Sequence, residues 1–351
     1  MMKQVHRYRH FRGLLRAALC SLPLLALTGC MTIYRPTGVV LTHYAQDEVV
    51  PYALGSTDFT LATCGSGMGL QQLLGSFSRV IKRSHVNMMD VELLSAFCSE
   101  QKANEANLKY LQAVFMGNAP MAQDAHIAEQ RWQKVTAQRR FEAYKDFVAA
   151  YGPIGVTGDK CPGFEDDMDA AQYLAGLITS VQALLSDIQA GSVVGVPQDV
   201  AAKVGKSSTC LSNEKWWGVP QAIRGVVWAT VPGTTPQGQD PWVAMHRAIQ
   251  VGRKAGMPLA ATLQGIAAFG VGDYEKEKQS LRDVKSIMDL KKMPKDFAML
   301  GTIGEYEALV LSDRIWMKAK GHRTPYQGFG TFPDDVPKNA TPPADLENLL
   351  D

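Results

Sequence analysis

Apolar side chains recur at intervals of three and four residues through most of this chain, and this spacing limits its fold more than any other feature. The pattern begins near Leu70 and Leu74 and ends near Leu311 and Ile315. Because an α-helix turns once in 3.6 residues, the spacing places apolar side chains on one face of each of a series of helices. We therefore expect an all-α fold of stacked antiparallel helical hairpins.

The clearest hairpins are predicted between residues 240 and 319. Asp240 before Pro241 is a typical start of a helix, and apolar faces continue through four successive helices. Residues 258–289 resemble a tetratricopeptide repeat, with Gly265 as its small residue, Gly272-Asp273-Tyr274 as its turn and Leu281 as its large residue. Glu277 stands where the repeat has alanine. The resemblance implies a degenerate repeat array, with Gly265 where two helices approach closely.

The N-terminus has the pattern of an export signal. Five basic residues precede an apolar run, Ala17–Leu27, that is too short to span a membrane. Leu27-Thr28-Gly29-Cys30 resembles the lipobox of bacterial lipoproteins, which implies removal of residues 1–29 and a palmitate-type lipid on Cys30. Met31 rather than aspartate follows, which in that family is typical of delivery to the outer membrane, facing the periplasm. The alternative is an ordinary secretory signal that happens to end in cysteine.

Three further segments follow the signal. Residues 30–63 are rich in β-branched and aromatic side chains and are predicted to form a tether or extended arm. Residues 64–320 form the helical body, and the Pro/Gly-rich residues 321–351 form a tail. Without the five basic residues of the signal, 31 Lys/Arg stand against 34 Asp/Glu. A weakly acidic chain of this kind argues against nucleic-acid binding.

Four cysteines remain in the body of the mature chain: Cys64, Cys98, Cys161 and Cys210. An even number in an exported protein indicates two disulfides, since the periplasm is oxidising. Three pairings exist, and the sequence does not choose among them. We favour Cys64 with Cys98 and Cys161 with Cys210, because both close local loops. The alternative is four free buried thiols.

Motifs for catalysis, metal or cofactors are not found in the sequence, and no cofactor or metal is expected. The glycines after Cys64 lack the third glycine of a dinucleotide-binding turn and are expected to form a helix entry. The carboxylates at positions 165–169 could bind calcium, but capping of the next helix explains them better. Trp216 and Trp217 are candidates for a partner surface, with the alternative that both rings are locked between helices.

The lipobox, the helical pairs and the chain length together resemble the T-component lipoproteins of TRAP transporters. That resemblance implies a non-catalytic binding or scaffold component of the envelope that associates with a periplasmic protein. A second hypothesis is a helical lipoprotein that binds a lipid or small solute. A third is an envelope enzyme without a recognisable motif. The expected partners are the membrane, through the lipid on Cys30, and an envelope protein. Formation of a homo-oligomer is left open.

Overall fold

The computed structural model describes residues 32–335, and every regular element in that range is helical. The prediction of an all-α fold is therefore confirmed. The signal peptide, Cys30 and the end of the tail lie outside the described residues. Within residues 32–335, no helix combines the length and the apolar character needed to cross a membrane.

The first half of the body is dominated by long helices. Its elements are α1 (residues 32–44), a π-helical turn (Ala45–Val49), α2 (Val50–Leu54), a second π-helical segment (Leu61–Gly67), α3 (Met68–Phe77), α4 (His85–Phe115), α5 (Ala119–Tyr151) and α6 (Asp167–Gln189). Helices α4 and α5 pack along their lengths, and α6 packs against α5. Gly117, with φ of +69°, ends the turn after α4, and the Asn118 side chain caps α5.

The second half consists of shorter helices. They are α7 (Val200–Ser207), α8 (Val219–Thr230), α9 (Pro241–Ala255), α10 (Leu259–Val271), α11 (Tyr274–Met288) and α12 (Ala298–Lys320). Helix α8 packs against α9 and α10, and α10 packs against α11. Asp240 caps α9 as predicted, since its carboxylate accepts hydrogen bonds from two backbone amides. Helix α12 returns to the first half and packs against α4 as well as α10.

The α10–α11 hairpin has the features that the sequence predicted. Gly272 ends α10 with φ of +75°, and Leu281 is fully buried. A Cβ placed on Gly265 would lie 3.4 Å from Leu311 Cδ1 and 3.5 Å from Ser280 Cβ, so the site has room for a methyl group and little more. The wider repeat array is not confirmed: α4 and α5 have 31 and 33 residues, whereas α10 has 13.

The predicted extended arm at residues 30–63 is wrong for the part that the structure describes. Residues 32–54 are helical, and so are residues 59–62. Gly38 of α1 lies against Phe77 and Ile81, and the Thr42 carbonyl accepts a hydrogen bond of 2.9 Å from Asn87 Nδ2. The preference of β-branched residues for strands is weak, and packing of one helix face on the body overrides it here.

Both predicted disulfides are confirmed. Cys64 is bonded to Cys98, with the Cα atoms 4.9 Å apart, and this bond joins the second π-helical segment to α4. Cys161 is bonded to Cys210, with the Cα atoms 5.4 Å apart. This second bond joins the loop before α6 to the residues that follow α7.

The start of the C-terminal tail is held against α11 and α12. Phe332 is buried, and the Thr331 carbonyl accepts a hydrogen bond of 3.0 Å from Trp316 Nε1. Asp334 forms an ion pair of 2.7 Å with Lys278. Residues 321–335 are therefore irregular in backbone but anchored to the body by these contacts.

Candidate functional site

A cleft of about 190 Å³ lies among α4, α5, α6, α10 and α12 of the helical body. We call it the central cleft. Nine polar side chains line it: Glu100, Asn104, Gln133, Arg140, Gln182, Ser186, Gln189, Glu307 and Arg314. Apolar side chains from α10 and α12, including Phe269 and Val310, line the other side.

Arg140 is the centre of the hydrogen bonds in the cleft. Its side chain is buried, at 1% exposure, and its two terminal nitrogens donate to the two carboxylate oxygens of Glu100 at 2.8 and 2.5 Å. One of them also donates to Ser186 Oγ at 2.9 Å. A buried arginine with a two-point carboxylate partner is held in one orientation. Its third nitrogen, Nε, has no acceptor within the described chain.

Several other buried polar atoms around the cleft also have no partner among residues 32–335. They are the side-chain oxygens Oε1 of Gln133, Gln182 and Glu307. Gln133 is only 2% exposed. An unsatisfied buried polar group costs about 1–3 kcal/mol, and most native proteins contain few of them. These three oxygens and Arg140 Nε border the same recess.

Glu307 and Glu100 form a carboxyl pair that sequence patterns could not identify. Burial raises the pKa of Glu307 well above its ordinary value, and the neighbouring negative charge of Glu100 raises it further. Arg140 and Arg314 oppose that shift without reversing it. The charged form of Glu307 is therefore disfavoured, and its protonated carboxyl can donate a hydrogen bond to Glu100 or to a molecule in the cleft.

Arg314 supplies positive charge to the cleft. Its Nε donates to Asn107 Oδ1 at 3.0 Å and its Nη2 donates to Asn104 Oδ1 at 3.2 Å, so both acceptors are neutral amides. Its guanidinium carbon lies 5.2 Å from the centre of the Phe269 ring. Unlike Arg140, which pairs with Glu100, Arg314 forms no hydrogen bond to a carboxylate within residues 32–335.

A second, almost wholly apolar pocket of about 60 Å³ lies beneath α2 and is bounded by α4, α6 and α12. Its polar contribution is the Asp90 carboxylate, which accepts a hydrogen bond of 2.6 Å from Gln172 Nε2. Burial raises the pKa of Asp90 to about 7, and the Gln172 hydrogen bond opposes the shift. The small volume of this pocket makes the central cleft the better candidate site.

The interpretation of Trp216 and Trp217 as a partner surface is wrong, and the alternative of two locked rings is confirmed. The residues are 2% and 8% exposed, and both rings pack at right angles to each other and edge-on to Phe297. Adjacent side chains point apart in regular structure, but Trp217 has φ of +54° and Gly218 has φ of +80°. The left-handed backbone conformation of Trp217 and Gly218 turns both rings inward.

The acidic residues after position 164 serve as a helix cap. Asp166 Oδ1 accepts a hydrogen bond of 2.8 Å from the Asp169 amide at the start of α6. Asp169 in turn accepts hydrogen bonds from the Tyr151 hydroxyl and the Glu165 amide. Across residues 32–335, no group of three or more His, Cys, Asp or Glu side chains is arranged to hold a metal ion.

The glycine-rich turn after Cys64 serves helix packing. A Cβ on Gly67 would lie 2.6 Å from the Ser95 amide nitrogen, so only glycine allows this segment to approach α4. Cys30 lies outside the described residues, so the structure does not bear on its lipidation. No family model matches the chain, and neither the search of curated proteins nor the search of solved structures gives a match.

Proposed function

We propose that this protein is a lipid-anchored binding protein of the cell envelope that holds a small polar solute in the central cleft. The observation that carries the proposal is the set of unpartnered polar atoms on Gln133, Arg140, Gln182 and Glu307, which all line one recess. A molecule with both donors and acceptors would satisfy them together. The lipobox at Cys30 supports the envelope location.

The size and charge of the cleft describe the solute further. A single water needs only about 10–15 Å³ of comparable space, so a cleft of about 190 Å³ has room for a small organic molecule. Phe269 and Val310 offer an apolar wall for its carbon skeleton. The guanidinium of Arg314 donates only to neutral amides within residues 32–335 and therefore favours a solute with one negative group.

The scaffold hypothesis, with association to a transporter component, stays a prediction. Its residue-level candidates, Trp216 and Trp217, are buried, so no described surface now supports it specifically. The proposal requires no catalytic step, and the carboxyl pair of Glu100 and Glu307 acts only through hydrogen bonds and charge.

The test measures solute binding to the purified full-length protein. Native mass spectrometry would detect a co-purifying small molecule, and thermal shifts against a panel of sugars, amino acids and small organic acids would identify its class. Arg314→Gln should weaken binding at least tenfold, because it removes the guanidinium that would pair with the negative group of the solute. The matched control is Arg247→Gln on the exposed surface of α9.

Two results would contradict the proposal. One is a purified protein that carries no small molecule and is stabilised by none of the panel. The other is equal affinity of the Arg314→Gln and Arg247→Gln variants for the solute that does bind.

A further inference from the structure

Helix α1 is fixed to the body by one face. Gly38 lies against the Phe77 and Ile81 side chains, so close that an added Cβ would be 3.4 Å from Ile81 Cγ2. The Thr42 carbonyl is hydrogen-bonded to Asn87, and Ala45, directly after α1, is buried. These contacts determine which side of α1 faces outward.

The outward side of α1 is apolar. Ile33, Val40 and Tyr44 are 65%, 64% and 57% exposed, and they follow one another at intervals of seven and four residues. Tyr34 and Leu41, also seven residues apart, are exposed beside them. Ile33, Val40 and Tyr44 therefore lie on one face of the helix, while Tyr34 and Leu41, in the same row as Gly38 and Ala45, border that face where it meets the body. We call these five side chains together the outer stripe. No charged side chain belongs to it.

We infer that the outer stripe lies on the surface of the lipid bilayer. A contiguous exposed apolar face on a soluble protein marks an interaction surface. Tyrosine, with an apolar ring and a polar tip, suits the boundary between lipid and water. An amphipathic helix in that position buries its apolar face in the headgroup region, parallel to the membrane.

The position of α1 in the chain identifies the bilayer as the occupant, and this step rests on the anchoring part of the proposed function. Ile33 follows Cys30 by three residues. An extended residue spans at most about 3.6 Å, so a lipid on Cys30 holds the start of α1 within about 10 Å of its attachment point. The membrane is the apolar medium nearest to the stripe. The contact would orient the body and stop it from rotating freely about its tether.

The first experiment measures access to the stripe tyrosines on a membrane. The lipidated full-length protein is added to vesicles of phosphatidylethanolamine and phosphatidylglycerol, iodinated enzymatically from the aqueous side and mapped by mass spectrometry. Tyr34 and Tyr44 should be labelled at least fivefold less than in an unanchored Cys30→Ser form that is made with an ordinary signal and iodinated without vesicles. Tyr326, which is 95% exposed in the tail, is the internal control. Equal labelling of Tyr34 and Tyr44 in both forms would overturn the inference.

The second experiment compares two substitutions on the same helix in the unanchored form. Val40→Glu places a charge in the outer stripe, and Val39→Glu places it on a neighbouring exposed position outside the stripe. Vesicle binding should fall about tenfold for Val40→Glu and stay near the parent value for Val39→Glu. Equal effects would overturn the inference. The inference would also be overturned if, without vesicles, protection of Tyr34 from iodination rose with protein concentration. A second copy of the chain would then cover the stripe.

The outcomes separate this inference from the proposed function. If Cys30→Ser does not change membrane attachment, the lipid anchor of the proposed function is wrong, while the Val40 and Val39 comparison still tests the stripe. Solute binding in the central cleft is measured independently of both.

Discussion

Replacement of Gln133 by leucine should stabilise the protein and abolish its binding function. Gln133 is almost fully buried on α5, and its side-chain oxygen Oε1 has no partner within the described residues. Leucine has a similar helix propensity and no polar group to desolvate. Removal of the unsatisfied amide should therefore recover about 1–2 kcal/mol of the 1–3 kcal/mol that such a group costs.

The measurement is thermal unfolding of the solute-free protein, together with solute affinity. A gain of 1 kcal/mol raises Tm by about 2–4 °C in domains of 150–250 residues, so we expect an increase of roughly 2–8 °C. Gln138→Leu is the matched control, since Gln138 lies on the same helix and is exposed. That control should change stability by no more than about 0.5 kcal/mol.

The two properties should change in opposite directions, because a binding site keeps polar groups that cost stability until the solute arrives. A lower Tm for Gln133→Leu than for Gln138→Leu, with solute affinity unchanged, would refute the reasoning. Gln133 would then belong to a structural network whose partners are ordered waters.

Three further predictions concern the body. The pKa of Asp90 is about 7 in the folded state and about 3.9 in the unfolded state. The free energy of unfolding therefore falls as pH rises between these two values, because the folded state must then bury a charged carboxylate or keep a proton that the unfolded state has lost. Asp90→Asn should thus raise Tm at pH 8 by the equivalent of about 2–4 kcal/mol and by much less at pH 4; an equal gain at both pH values would contradict the shifted pKa. Gly265→Ala should stabilise by up to about 1 kcal/mol and Gly265→Leu should destabilise by about 1–3 kcal/mol, because the site has room only for a methyl group; a higher Tm for Gly265→Leu would remove the packed hairpin. Thiol titration of the denatured, unreduced mature protein should find no free cysteine in the body, and loss of each disulfide should cost about 3–4 kcal/mol; four free thiols would rule out both bonds.

Most of the helical body could be predicted from sequence because helix signals are local. The cap at Asp240, the turn at Gly272 and the three-and-four spacing each depend on residues within a few positions of one another. The two disulfides could also be predicted, since both close short loops. Helix α1 could not, because its helical state depends on contacts with Phe77 and Asn87, far along the chain.

The central cleft was missed for a related reason. Gln133 and Arg140 are seven residues apart on the inward face of α5, and Glu307 and Arg314 are seven apart on the apolar stripe of α12. The sequence does contain a signal for the cleft: these polar residues stand at helix positions where the spacing pattern requires apolar ones. The sequence could not show that the two pairs meet, because that requires α12 to return to the first half of the body.

This return of α12 determines when the binding site can exist during folding. The hydrogen bond from Arg314 to Asn104 joins residues 210 positions apart, and contacts of such long range form late because a long loop must close first. A chain that enters its compartment from the N-terminus can pair α4 with α5 while α12 has yet to emerge. The central cleft therefore stays open on one side, with Arg140 accessible to water, until the last helix docks. Binding competence is then a late marker of complete folding, and truncation of the chain before residue 298 would leave much of the helical body without any solute site.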